Sequence, residues 1–254
     1  MGGALAQAVI RSVGAENVAV SDKNEGILAA FQAKYGATAL TNEELIRCCD
    51  FVFLGVKPQF LAGFAEEMKK VIAERANQIT LVSMIAGTPI AKLETLFGCA
   101  LSVIRIMPNT PAAVGEGMIL CHPNAAVAPE KTERFQQLFR LAGMLDFIPE
   151  SLIAAGCAIS GCGPAFAYLF IDAMADAGVA LGLTKKQATL YAAQTLLGAA
   201  KMTMETEQSP ANLKDAVCSP GGSTIAGVKA VEKNAFRYAV IDAVTEAYQK
   251  TTQL

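Results

Sequence analysis

Residues 214–227 combine a tight glycine turn with several hydroxyl side chains. Ser219-Pro220-Gly221-Gly222 follows a helical stretch, and a new helix is predicted to begin at Ser223-Thr224. Glycines let the backbone approach a ligand closely, and the free N–H groups at a helix start attract a carboxylate or a phosphate. The hydroxyl groups nearby add donors that also accept hydrogen bonds. The segment therefore predicts an anion site, and an ordinary interhelical turn with a Ser or Thr cap is the alternative.

This segment resembles the C-terminal motif of the pyrroline-5-carboxylate reductases, the enzymes of the last step of proline synthesis. Four other segments occur in that family's order and spacing: Val56-Lys57-Pro58, Ile85-Ala86-Gly87, Arg105-Ile106-Met107-Pro108-Asn109-Thr110-Pro111 and Ser160-Gly161-Cys162-Gly163-Pro164-Ala165. The resemblance covers nearly the whole chain. It implies an oxidoreductase that reduces the cyclic imine 1-pyrroline-5-carboxylate to L-proline by hydride transfer from NAD(P)H.

The resemblance also implies how the substrate, a five-membered imine with one carboxylate, would be held. The residues predicted to bind it are Ser219, Gly221, Gly222, Ser223, Thr224, Glu150 and Glu207. Thr224 is the predicted catalytic residue, because its hydroxyl would hydrogen-bond the ring nitrogen. Glu150 and Glu207 would relay a proton or position the amine, with solvated glutamates as the alternative. An imine is protonated near neutrality, so holding donor and acceptor close contributes most of the acceleration.

The first part of the chain alternates short apolar runs with stretches of helical spacing. The runs are Asn17–Ser21, Phe51–Val56, Ile79–Ser83, Leu101–Ile106 and Met118–Cys121. The helical stretches are Glu25–Lys34, Asn42–Cys49, Gln59–Glu74, Ile90–Phe97 and Pro129–Leu141. Apolar strands separated by helices predict an α/β fold with a Rossmann-type, doubly wound, mostly parallel sheet. We expect this dinucleotide-binding domain to span residues 1–149.

From residue 150 onward only helical periodicity is found. The predicted helices are Pro164–Leu181, Thr184–Glu205, Asn212–Cys218 and Ser223–Thr251. Thr184 opens a capping box, and Ser209-Pro210 places a cap before a first-turn proline. Helices this rich in alanine cannot all be hidden within about a hundred residues. We therefore expect an all-α domain over residues 150–254 that forms a homodimer, and by resemblance the dimers can assemble into a decamer.

The cofactor is expected to lie at the carboxyl ends of the strands. By resemblance, its ligands are Met1, Gly2, Ser21, Asn42, Val56, Lys57, Pro58, Ile85, Ala86, Gly87 and Asn109. Ser21-Asp22-Lys23 carries a hydroxyl and both signs of charge, which favours NADP (as NADPH) weakly over NAD. Asn42 would reach the adenosine ribose or its phosphate, and it is equally a candidate helix N-cap. Asn109 would hold the carboxamide, or form a structural turn.

The beginning of the chain resembles the first helix of a dinucleotide domain, entered directly at Met1–Ile10. Members of the family carry a preceding strand and a Gly-x-Gly turn, of which only Met1, Gly2 and Gly3 remain here. The missing strand would lie mid-sheet, between the strands at Asn17–Ser21 and Phe51–Val56. We expect the natural polypeptide to start upstream. A degenerate domain that has lost its cofactor is the alternative.

Composition limits the other classes of function. Net charge is −2 without a Lys/Arg cluster, which argues against nucleic-acid binding and electrostatic membrane docking. Ser151–Ile171 is uncharged and long enough to span a bilayer, but glycines and Pro164 interrupt it, so a subunit interface is the better explanation. The seven cysteines are expected to be small buried residues in a reducing compartment, the cytoplasm. The single histidine, His122, predicts no metal site.

Two rival functions share this layout. Hydroxyacid dehydrogenases carry a lysine on the interdomain helix, but Ser151–Ile171 contains no lysine, glutamate or aspartate, which favours imine chemistry. A non-catalytic dimeric paralogue without cofactor is supported only by the absent first strand. The predicted active site lies between the two domains.

Overall fold

The computed structural model describes residues 1–253 and contains two sheets, one parallel and one mixed. Strands β1 (Ala19–Val20) and β2 (Thr38–Ala39) form a two-stranded parallel sheet. The other five form a sheet in sequential order: β3 (Phe51–Leu54), β4 (Thr80–Ser83), β5 (Val103–Met107), β6 (Gly117–Pro123) and β7 (Gly143–Phe147). Only the β5–β6 pair is antiparallel. The predicted α/β, mostly parallel fold is confirmed, with β1 and β2 in a sheet separate from β3–β7.

Helices follow the strands as the periodicity predicts. In the sheet-containing part they are α1 (Gly2–Val13), α2 (Glu25–Tyr35), α3 (Asn42–Cys48), α4 (Leu61–Arg75), α5 (Ile90–Phe97), α6 (Pro129–Phe139) and α7 (Ile153–Ser160). One core contains Leu81 of β4 with Ile72 of α4 and Leu93 of α5. A second core joins β4, β5 and β6 to α1 and α6, with Phe135 and Phe139 fully buried. The large sheet is thus covered by helices through two separate cores.

Two strands were not predicted, and one helix assignment was wrong. β2 has only two residues, and β7 alternates half-buried and exposed positions, so neither forms an apolar run. The predicted helix Ser223–Thr251 is two helices, α11 (Ser223–Lys233) and α12 (Phe236–Thr252). Ala235, with φ of 56°, separates them without a glycine or proline to mark the break.

The remaining helices belong largely to a second compact unit, Gly163–Glu246. They are α8 (Gly163–Ala180), α9 (Lys185–Thr206), α10 (Pro210–Ala216), α11 and the first part of α12. Thr184 makes the predicted capping box with Gln187, and Ser209 accepts from the N–H of Asn212 at the start of α10. Residues Met1–Cys162 and the chain from Ala247 form the first unit, which therefore includes α7. The domain boundary at residue 150 stays a prediction.

The second unit has almost no core of its own. Only Ala175, Ala188 and Ala192 are buried between residues 163 and 246. Large apolar side chains are exposed instead, among them Leu169 (73%) and Leu181 (86%). The stretch Glu150–Ala180 is long and apolar enough to cross a membrane by length and composition alone, with 17% of its most apolar window buried. In this structure it is two helices separated at Gly161–Cys162.

All seven cysteines are free thiols, and their burial is uneven. Cys121 and Cys157 are buried, as predicted for small apolar residues. Burial raises the pKa of the Cys121 thiol to about 12, which keeps it protonated and unreactive. Cys48 is exposed and the other four are half-buried, so the prediction of seven buried cysteines was wrong.

Gly143, at the start of β7, generates a stability prediction. Its φ of 133° disfavours L side chains, and an added Cβ would lie 2.0 Å from the Gly117 carbonyl oxygen. We expect Gly143→Ala to lower the free energy of unfolding by about 2–4 kcal/mol in urea titrations, because backbone strain adds to overlap. The control is Gly63→Ala in α4, where nothing lies within 4 Å; there we expect a gain of about 0.5–1 kcal/mol. Equal effects of the two variants would contradict this prediction.

Candidate active site

Three of the predicted cofactor segments follow neighbouring parallel strands. Val56-Lys57-Pro58 comes after β3, Ile85-Ala86-Gly87 after β4, and Asn109 after β5. Because the carboxyl ends of parallel strands share one sheet edge, the structure brings these three segments to the same edge. Lys57 is exposed, Ala86 and Gly87 are half-buried, and Ile85 is buried beneath them. The edge therefore offers a cation next to a surface of small residues.

Two more predicted cofactor residues follow the strands of the two-stranded sheet. Ser21 directly follows β1, and Asn42 is the first residue of α3, after β2. The N-cap of α3 is Thr41, which forms a capping box with Glu44, so Asn42 does not have the cap role that the sequence left open as an alternative. Thr41 takes this role because its hydroxyl accepts the N–H of Glu44 at 3.2 Å. Asn42 itself is half-buried.

Met1 and Gly2 lie at the N-terminus of α1. No side chain caps this twelve-residue helix, and both residues are exposed. Nothing lies within 4 Å of the position that a Cβ on Gly2 would take. The first N–H groups of a helix without a cap are available to an anion.

Asn109 is buried (7% exposed), and protein partners occupy both ends of its side-chain amide. Nδ2 donates to the Ser160 carbonyl at 2.9 Å, and Oδ1 accepts from the Met118 N–H at 3.0 Å. It thereby joins the end of β5 to β6 and to the end of α7. The predicted contact with the carboxamide stays a prediction; it would have to use the backbone or replace these bonds.

Glu150 lies at the start of a short 3₁₀ turn before α7 and is the partner of a buried arginine. Arg105 Nη1 donates to Glu150 Oε1 at 3.0 Å, and the Ile90 N–H donates to the same oxygen at 2.9 Å. Sequence reasoning missed Arg105 as a functional candidate. The signal was present, since an arginine within the apolar strand β5 must find a counter-charge.

In the helical unit, Ser219–Gly222 forms a hydrogen-bonded turn before α11. The Gly222 N–H donates to the Ser219 carbonyl at 3.0 Å, and Gly221 has a φ of 72°. Pro220 and a left-handed Gly221 are the central residues that a type II turn requires. A Cβ on Gly222 would lie 2.5 Å from Ser219 Oγ. The turn thus requires Gly221, and a side chain at position 222 would displace the Ser219 hydroxyl.

The start of α11 presents free donors, as predicted. Gly222 is its N-cap and supplies no side-chain acceptor, so the N–H groups of Ser223, Thr224 and Ile225 have no capping partner. Ser223 and Thr224 are exposed. Glu207, the other predicted substrate residue in this unit, ends α9 with φ of 55° and is exposed.

His122 has a structural contact. It lies near the end of β6, and its Nδ1–H donates to the Ile148 carbonyl at 2.9 Å. Within residues 1–253, no group of three or more His, Cys, Asp or Glu side chains could hold a metal ion.

Comparison with known proteins identifies the family. A model described as "Pyrroline-5-carboxylate reductase dimerisation" matches residues 150–254, and one described as "NADP oxidoreductase coenzyme F420-dependent" matches residues 1–87. The pyrroline-5-carboxylate reductase of Escherichia coli is 40% identical over 229 residues, which cover 89% of this chain and 84% of the relative. The chain belongs to the pyrroline-5-carboxylate reductase family. The resemblance stated from the motifs is thereby confirmed.

Other members of the family match over the full length of the chain. The pyrroline-5-carboxylate reductase of Methanosarcina acetivorans is 38% identical over all of this chain and 94% of its own length. The crystal structure of the Plasmodium falciparum pyrroline carboxylate reductase with NADP bound superimposes with a TM-score of 0.89 at 32% identity, covering 100% of this chain and 94% of that one.

Proposed function

We propose that this chain reduces 1-pyrroline-5-carboxylate to L-proline, with NADPH as the hydride donor. The observation that carries the proposal is the type II glycine turn before the uncapped start of α11, in a chain of this family. The reaction consumes one imine, one NADPH and one proton, and it releases proline and NADP⁺.

The residues at the sheet edges have the chemistry that a dinucleotide needs. The exposed N–H groups at the start of α1 suit a pyrophosphate, and the Lys57 ammonium offsets its charge. Ala86 and Gly87 leave a surface on which a flat ring can rest. Ser21, Asn42, Val56, Pro58 and Ile85 complete the proposed set. The bound cofactor supplies hydride, and the protein orients it and excludes water.

NADPH is preferred over NADH in this proposal. The Asp22 carboxylate accepts the Asn24 N–H at 2.8 Å, so part of its hydrogen-bonding capacity is used inside the protein. Lys23 beside it is exposed and positively charged. This combination suits a 2′-phosphate better than a ribose diol held by a bare carboxylate. The Plasmodium falciparum relative with NADP bound supports the same choice.

The substrate carboxylate binds the donors at the start of α11, with Ser219 assisting. Three uncapped N–H groups and the helix dipole hold the anion without a basic side chain. Thr224 Oγ1 then reaches the ring nitrogen and keeps the protonated imine oriented. Glu207 positions the ring from the end of α9. The left-handed backbone of Glu207 costs about 1–2 kcal/mol, and such strain is typical of residues with a functional role.

A second copy of the chain covers the apolar surface of the helical unit, so the protein is a homodimer that can assemble further into a decamer. Three buried alanines cannot stabilise a unit of this size, and the family model matched here is described as a dimerisation region. The same contact accounts for the exposed apolar side chains of α8 without a membrane, whereas α7 buries its own against the sheet. The expected compartment is the cytoplasm.

Hydroxyacid dehydrogenation is the weaker alternative. α7 and α8 up to Ile171 carry no lysine that could handle an alcohol proton. A direct measurement distinguishes the proposed reductase from a paralogue that dimerises without binding cofactor. Such a paralogue would neither bind NADPH in calorimetry nor oxidise it in the presence of the imine.

Thr224 gives the first functional prediction. Thr224→Ala should lower kcat for imine reduction about 10- to 100-fold, because a hydrogen bond to a charged group contributes about 1.5–3 kcal/mol. The NADPH dissociation constant should change less than about twofold. Thr224→Ser is the control and should keep most of the activity. Weakened NADPH binding with unchanged kcat would contradict the assigned role.

Glu207 gives a prediction with a matched control. Glu207→Gly and Ala235→Gly each relieve a left-handed residue, with φ of 55° and 56°. Each should raise the free energy of unfolding by up to about 1 kcal/mol, because the relief is partly offset by glycine's freedom in the unfolded chain. Only Glu207→Gly should lower kcat/KM. Equal activity of the two variants would remove Glu207 from the site.

The oligomer prediction is tested by light scattering without detergent. The wild-type chain should have twice the mass of one chain, or an even multiple of it. Leu169→Lys, on α8, should shift the protein toward monomers, since a lysine there would be buried in the dimer. Ile27→Lys, at an exposed apolar residue of α2, should leave the mass unchanged. A monomeric wild type, or one that requires detergent, would contradict the proposal.

A further inference from the structure

An ion pair between buried Arg105 and half-buried Glu150 contacts Ile90, which directly follows the loop proposed to support a flat ring of the cofactor. Arg105 lies in β5, opposite Ser83 of β4, and is 8% exposed. Its Nη1 donates to Glu150 Oε1, while its buried Nε has no hydrogen-bond partner in the described structure. Arginine keeps its charge in proteins, so the pair with Glu150 is its compensation.

The same oxygen of Glu150 caps a helix. The Ile90 N–H, the first of α5, donates to Glu150 Oε1 at 2.9 Å. The N-cap residue of α5 is Pro89, which has no side-chain acceptor, and no acidic residue lies in its first turn. Glu150 therefore supplies, from 60 positions away, the acceptor that a Ser, Thr or Asp would supply locally.

The loop from Met84 to Pro89 is fixed at one end by β4 and at the other by the contact between Glu150 and Ile90. The loop leaves β4, which is paired with β3 and β5, and it ends where Glu150 holds Ile90. Within the loop, Ile85 and Thr88 are each 1% exposed, so both side chains point into the fold. Ala86 and Gly87 are the half-exposed residues between them. The position of Ala86 and Gly87 at the sheet edge therefore depends on the position of the first residue of α5.

We propose that Glu150 is a positioning residue, which, held by Arg105, fixes the Ala86–Gly87 surface through Ile90 and exchanges no proton with the substrate. This inference rests on the proposed function and replaces the proton relay expected from the sequence. Glu150 Oε1 already accepts two hydrogen bonds from the protein. A shift of about 1 Å in the acceptor or donor position is enough to slow a transfer about 100-fold.

The experiment compares Glu150→Gln with Glu150→Ala. The amide oxygen of glutamine can still accept from Ile90, whereas alanine leaves both donors unpaired. Single-turnover hydride transfer at saturating NADPH should fall about 100-fold in Glu150→Ala and less than about 10-fold in Glu150→Gln. The pH profile of Glu150→Gln should keep the wild-type shape. Gln187→Ala, which loses a helix cap in the helical unit, is the control and should keep the wild-type rate.

A double variant covers the case in which Glu150→Ala fails to fold around its uncompensated arginine. Arg105→Met/Glu150→Gln removes the buried cation and keeps the acceptor for Ile90, so it should fold and transfer hydride faster than Glu150→Ala, but no faster than Glu150→Gln, which keeps Arg105. The proposal is overturned if the rate of Glu150→Gln falls more than about 10-fold and one limb of its pH profile is lost. The Glu150 carboxylate would then exchange a proton during the reaction. A wild-type rate in folded Glu150→Ala overturns it as well.

Amide hydrogen exchange separates this inference from the proposed function. Exchange over residues 84–92 should increase in Glu150→Ala, or in Arg105→Met/Glu150→Ala if the single variant does not fold, and return toward wild type with glutamine. This readout needs no substrate. A wild-type chain that binds NADPH without reducing the imine would end the proposed function, and the exchange result would still decide whether Glu150 holds the loop. Unchanged exchange in the alanine variant overturns the positioning role.

Discussion

The buried charge of Arg105 constrains how the sheet is joined to the chain that follows it. A guanidinium inside an apolar strand needs a counter-charge, because an isolated buried cation is strongly unfavourable. Glu150 supplies it from 45 positions away and also caps α5. Ile153 and Cys157 then pack with Met107 of β5 and Leu120 of β6. Charge compensation followed by apolar packing explains why α7 stays with the sheet, although its sequence resembles the helices after it.

The helical unit, in contrast to α7, has well-capped helices but little buried apolar surface. Its helices are well formed locally, with a capping box at Thr184 and a serine cap at Ser209, and yet they bury only three alanines. Conformational entropy lost on ordering such a unit is normally offset by apolar burial. Here most of the apolar surface, such as Leu169 and Tyr168, is still exposed within one chain. The proposed dimer would cover this surface with a second copy, so that folding of the unit depends on its association.

Local signals carried most of the prediction of this fold. The β3, β4 and β5 runs, the bounds of α5, and the caps at Thr184 and Ser209 depend on neighbouring residues, and the structure has them. β7 was missed because its alternating burial breaks the apolar run, and the break at Ala235 was missed because no glycine marks it. Thr41 displaced Asn42 as a cap because it has Glu44 three residues ahead.

The residues of the candidate site also fall into two groups, those that sequence motifs identified and those that depend on partners distant in the sequence. The glycine turn before α11 and the strand-end segments were found because they resemble motifs of a known family, while the local chemistry of the turn alone left an ordinary interhelical turn open. The roles of Arg105 and of the Asn109 amide could not be found, because their partners Glu150 and Ser160 lie 45 and 51 positions away. Sequence spacing says nothing about such pairs until the strand order is known. Burial of a polar residue type was the only available signal, and it names no partner.

A carboxylate held by backbone donors has a consequence for imine reduction. An arginine side chain would bring a full charge on a flexible stem, whereas the N–H groups at the start of α11 are fixed by the turn at Gly221 and Gly222. In the proposed site the substrate carboxylate is bound in one orientation, which places the ring relative to Thr224. Because a protonated imine already accepts hydride, orientation is the main contribution left for the protein. A rigid, neutral clamp therefore suits this chemistry better than a strong but mobile one.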